Sequence, residues 1–97
     1  MITIVDFKKE VIDWSEEIGV KPKEIQIRAM KRNWASCSNT GRLSFSYALL
    51  NEPYDVRSMV IVHELLHLKY STHTRFFYSL VTAYLAKKGI ENVVIKY

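Results

Sequence analysis

The sequence predicts an α+β domain: a short antiparallel sheet packed on one central helix and on the helix that follows it. Two observations carry that expectation. Two segments alternate apolar and polar residues with period two, as half-buried strands do, and three others repeat their apolar residues at helical spacing. At 97 residues the chain is expected to form a single domain over residues 1–97 with a modest core.

The first helix is expected over Asp6–Ile18. Phe7, Val11, Trp14 and Ile18 fall on one face, while Lys8, Lys9, Asp13 and Glu17 fall on the other. Thr3 or Asp6 can cap its start, and Gly19 can take the left-handed conformation that ends it. Val20-Lys21-Pro22 then reads as a linker, because a residue before proline is driven out of the helical region.

Strands are expected over Ile25–Met30 and Leu43–Tyr47, as an antiparallel pair. The Ser-, Asn-, Thr- and Gly-rich stretch Ser36–Arg42 joins them, with a turn centred on Asn39-Thr40-Gly41. Trp34 is read as a buried anchor at the base of that hairpin. The central helix is expected to begin near Asn51–Asp55, with Asn51 as a cap, and to run through Tyr70. Val56, Met59, Val60, Val62, Leu65 and Leu66 make it apolar over most of its circumference, so it should be buried. After a break at Ser71-Thr72 the last helix is expected from about Thr74 to Gly89, with Phe77, Leu80, Val81, Tyr84 and Leu85 facing the core. Val93-Val94-Ile95 in the tail has strand character.

Composition narrows the function classes. The single cysteine, Cys37, excludes an internal disulfide framework and leads us to expect a reducing, cytoplasmic setting. The longest apolar run, Met59–Val62, is far too short to span a bilayer, so no membrane association is expected. The formal charge is +4, with Lys21, Lys23, Arg28, Lys31, Arg32 and Arg42 clustered. No nucleic-acid-binding motif accompanies that cluster, so it is read as a solvated face and a nucleic-acid partner is not expected.

The chemistry concentrates in His63-Glu64-Leu65-Leu66-His67, with His73 six residues further on; these are all the histidines of the chain. Residues four apart lie one above the other on a helix, so His63 and His67 can reach one ion. Glu64 lies about 100° round the helix from His63, placed to touch a water on that ion without ligating it. With His73 the chain offers three protein ligands and leaves a fourth position open, as catalytic zinc sites do. Buried in a greasy helix, these polar groups would be costly without a compensating metal. A structural zinc would more often use cysteine and close all four positions, and Cys37 stays open as a fourth ligand.

From Met30 to Leu85 the chain resembles the YgjP-like metal-dependent hydrolases, a branch of the gluzincin-type zinc metallopeptidases. The residues that carry this are Lys31–Ser38 (Lys-Arg-Asn-Trp-Ala-Ser-Cys-Ser), Gly41–Ser46 (Gly-Arg-Leu-Ser-Phe-Ser), and Val62–Leu68 with His73 and Phe76. The resemblance implies a zincin-like fold with an active-site helix. It also implies one zinc ion held by His63, His67 and His73, with Glu64 as catalytic base and a peptide or protein as substrate. Tyr70, Arg75, Tyr78 and Tyr97 are the candidates for an oxyanion donor. Three function classes follow: a zinc metallopeptidase, latent through its C-terminal tail; a phosphohydrolase acting on nucleoside triphosphates; or a protein in which zinc is only structural. Oligomeric state is not legible.

Overall fold

The computed structural model describes residues 1–91, so the tail strand expected at Val93-Val94-Ile95 lies outside the described residues. The elements in chain order are α1 (Ile4–Ile18), β1 (Glu24–Arg28), β2 (Ala35–Cys37), β3 (Arg42–Ser46), α2 (Tyr54–Leu66) and α3 (Arg75–Lys87). A 3-10 turn over Tyr47–Asn51 leads from the sheet into α2.

α1 forms where its periodicity places it. The Thr3 side chain accepts from the Asp6 N–H, and Gly19 closes the helix in the left-handed region with φ 83°. Its apolar face buries Phe7, Val11, Trp14 and Ile18, and Phe7 meets Phe45 of β3 edge-on at 5.1 Å. Arg57 of α2 holds Glu10 of α1 through Nε and Nη2, at 3.0 and 2.9 Å, and donates from Nη1 to the Glu52 carbonyl at 2.7 Å.

The sheet departs from the expected pairing. Its order is β1-β3-β2: β3 is central, parallel to β1 and antiparallel to β2. The sheet is therefore mixed, and the turn at Asn39-Thr40-Gly41 joins β2 to β3 rather than β1 to β3. Alternation specifies which face of a strand is buried, but says nothing of its partner or direction. β2, only Ala-Ser-Cys, is too short to announce itself by pattern. The hairpin closes through Ser38 N–H to the Arg42 carbonyl at 2.9 Å and Gly41 N–H to the Ser38 carbonyl at 3.2 Å, with Gly41 at φ 92°.

α2 is buried without interruption from Ser58 to Leu66, packed against α1, α3 and β2. Two expected boundaries shift. Pro53 occupies the N-cap position in place of Asn51, which belongs to the 3-10 turn. The helix ends at Leu66, not Tyr70, with His67 as its C-cap. Its last turn tightens into bonds from Leu68 to Leu65 and from Lys69 to Leu66, which satisfy the terminal carbonyls. α3 starts as expected, the Thr74 hydroxyl accepting from Phe77 N–H, and buries Phe77, Val81 and Leu85.

Candidate metal centre

Three histidine rings converge at the junction between α2 and α3. His63 leaves the buried part of α2, His67 caps its end, and His73 returns from the connecting segment just before Thr74. The Nε2 atom of His73 lies 2.8 Å from that of His67 and 3.1 Å from that of His63. Each ring thus offers one nitrogen to a common point, all within 4.8 Å of one another. These separations are slightly under the roughly 3.3 Å that two nitrogens at about 2.05 Å from a tetrahedral zinc would keep. Only a small outward adjustment of the rings separates the two arrangements.

The tautomer of His67 is fixed by its neighbour. Its Nδ1 lies 3.1 Å from the Tyr70 carbonyl oxygen, which can only accept, so Nδ1 carries the hydrogen and Nε2 presents its lone pair to the cluster. The early end of α2 makes this contact, because it turns the Tyr70 carbonyl back towards His67. Burial, reinforced by the charges of His67 and His73, lowers the pKa of His63 to about 4. His67 is also lowered, chiefly by burial, against the raising effect of its bond to Tyr70. Both rings are therefore neutral at ordinary pH, the state in which imidazole binds a metal. Neutral nitrogens, fixed inward and within reach of one ion, form a donor set that fits zinc.

Phe77 floors the cluster. Fully buried on α3, it stacks on His67 at 4.8 Å and meets His63 and His73 edge-on at 5.2 and 5.3 Å. Sequence periodicity identified it only as a core position, and its approach to all three rings exists only once α3 folds back on α2. Tyr78 stacks on His73 at 5.7 Å.

Glu64 and His67 stand between two cavities and line both. One, of about 740 Å³, is bounded by Lys21, Lys23, Cys37 and the Ser38–Gly41 turn. The other, of about 460 Å³, is bounded by Arg32, Trp34, Ala35, Met59, His63 and His73 among others. Trp34 is thus not the buried anchor expected: it is 36% exposed and lines a cavity beside the histidines. Ala35, the next residue, takes the buried position instead.

Other expected site residues fall elsewhere. Cys37 lines the larger cavity with Glu64 but is outside the cluster of nitrogens. Burial and the nearby Glu64 charge raise its pKa, so the thiol keeps its proton. Tyr70, Arg75 and Tyr78 line neither cavity: the Tyr70 ring packs on Phe76 at 5.5 Å although its carbonyl meets His67, Tyr78 stacks on His73 from the side of α3, and Arg75 borders a separate depression on α3. Tyr97 lies outside the described residues.

A family model described as the YgjP-like metallopeptidase domain matches residues 4–89. Among solved structures, abylysin of Pyrococcus abyssi, described as a metallopeptidase zymogen, has the same fold. It aligns with TM-score 0.66 and 21% identity over 91% of this chain and 99% of that one. No curated protein matches the sequence.

Proposed function

The chain belongs to the YgjP-like metallopeptidase family, and from that premise we propose that it is a zinc-dependent peptidase whose ion is held by His63, His67 and His73. The convergence of three inward-facing Nε2 atoms beside a buried glutamate carries this reading. Zinc held there would acidify a water molecule and polarise the scissile carbonyl.

The remaining work belongs to the chain. Glu64 takes the proton of the attacking water and hands it to the leaving amine nitrogen. The Tyr70 carbonyl keeps His67 in the ligating tautomer, and Phe77 holds the three rings in register. The peptide would lie along β2, which like β1 is an outer strand of the sheet among the described residues. Trp34 O and Ser38 N–H bond to β3, so alternation turns the backbone groups of Cys37 away from β3, and Cys37 lines the larger cavity with Glu64.

Glu64→Gln tests the mechanism: it should keep zinc and lose cleavage of an unfolded protein substrate. Retained cleavage would remove Glu64 from the proton path. Latency through the C-terminal tail belongs to the same reading, supported by the zymogen character of abylysin. Ile90 is buried in the core, so the informative truncation removes residues 92–97 only. A gain in cleavage is expected, and no gain counts against latency.

A further inference from the structure

The basic residues that composition suggests are a solvated face are not all remote from the metal centre. Lys21 and Lys23 line the larger cavity and Arg32 the smaller, on opposite sides of Glu64. Among the described residues lining the two cavities, Glu64 is the only carboxylate, and its chemistry is taken up beside the histidines. Glu24, the nearest acid in sequence, is occupied by Arg42 at 3.1 Å and lines neither cavity.

Lys23 is held in place. Its N–H donates to the Gly41 carbonyl at 2.9 Å, and its stem runs over Gly41 so closely that a Cβ there would stand 3.3 Å from Lys23 Cγ. The same cavity is also lined by Ser38, Asn39 and Thr40, whose side chains and backbone supply further hydrogen-bonding groups. Ser38 Oγ is itself fixed, bonded to Thr40 Oγ1 at 2.9 Å and accepting from Arg42 N–H at 3.0 Å. A cavity lined by two cations and by small polar residues, one cation packed against the polar turn, suits an anionic group on an extended chain.

We infer that this cavity is a specificity subsite for acidic side chains, so that the peptidase favours peptides carrying Asp or Glu next to the cleaved bond. The inference rests on the peptidase reading and names its substrate class. The charges are solvent-exposed, so the discrimination is electrostatic, moderate and sensitive to salt.

The test uses two fluorescent octapeptides, identical except that one carries Asp where the other carries Asn, bound to zinc-loaded Glu64→Gln protein. The acidic peptide should bind about fivefold tighter at low salt, falling below about twofold at 0.5 M sodium chloride. Adding Lys21→Gln and Lys23→Gln should bring the ratio to near one, whereas Lys21→Arg with Lys23→Arg should retain it. Equal binding of the two peptides, or a preference that survives the double Gln change, would overturn the inference. Displacement of the acidic peptide by inorganic triphosphate well below the peptide's own Kd would assign the cavity to a phosphate ligand and overturn it too. Cleavage separates the two levels of the argument. Wild-type protein that cuts both peptides at one rate sinks the subsite and leaves the peptidase. An acidic binding preference in a protein that cuts nothing, with or without residues 92–97, sinks the peptidase alone.

Discussion

Phe77 is the residue whose replacement best separates packing from metal binding. It is fully buried and touches all three imidazoles, one by stacking and two edge-on. Phe77→Leu keeps an apolar side chain on α3 but removes the flat surface and leaves a partial void. The lost aromatic contacts and the void should together cost about 2 kcal/mol. For a domain of this size that lowers Tm by roughly 8–16 °C. A floor that lets the rings tilt should also weaken zinc about tenfold, as loss of an outer-shell partner does. The zinc-dependent part of the stability should then shrink by about 1.4 kcal/mol at saturating metal. Thermal melts with and without zinc, together with chelator competition below the melting range, measure both quantities. A lowered Tm with unchanged zinc affinity would reduce Phe77 to a core residue. No change in either would refute the argument altogether.

His73→Ala removes a whole ligand and should weaken zinc by more than about 100-fold, beyond the effect of any outer-shell change; unchanged affinity in chelator competition would place the third ligand elsewhere. Metal-free protein should lose stability as pH falls. Folded His63, with a pKa of about 4, and His67, also lowered, bind protons less readily than the same residues unfolded near 6.5. Their contribution is therefore fully present above about 6.5 and is lost as pH falls through 6.5 towards 4; equal urea midpoints at pH 7.5 and 4.5 would contradict this. Glu10→Ala breaks the two-pronged contact with Arg57, whose partners are only 13% and 18% exposed, and should cost about 1–2 kcal/mol in denaturant titration. A loss too small to resolve would make that pair ornamental.

Much of the candidate metal centre is legible in the chain because it depends on local geometry. Helical periodicity puts His63 and His67 on one face and Glu64 beside them, whatever else the molecule does. The caps at Thr3, Gly19 and Thr74 are equally local, each a side chain or backbone conformation acting within a few residues. No helix of the described residues is long and apolar enough to cross a membrane, which the short apolar runs already implied.

Tertiary structure decided what depends on partners distant in sequence. A period-two pattern states which side chains are buried, but the central place of β3, and its parallel run beside β1, are pairings between segments distant in sequence. Trp34 has the composition of a core anchor. It borders the smaller cavity because Ala35 fills the inward position and allows β2 to approach the helix. His73 reaches the other two rings only because α2 stops at Leu66 and does not continue to carry the chain away. Phe77 owes its place to the same folding back, and Lys23 owes its own to the turn between β2 and β3, against which it packs. The chain alone offers the candidate ligand types and the spacing of His63 and His67, since these need only a helix. The floor, the walls and the charge of the cleft came from long-range contacts, which no local pattern encodes.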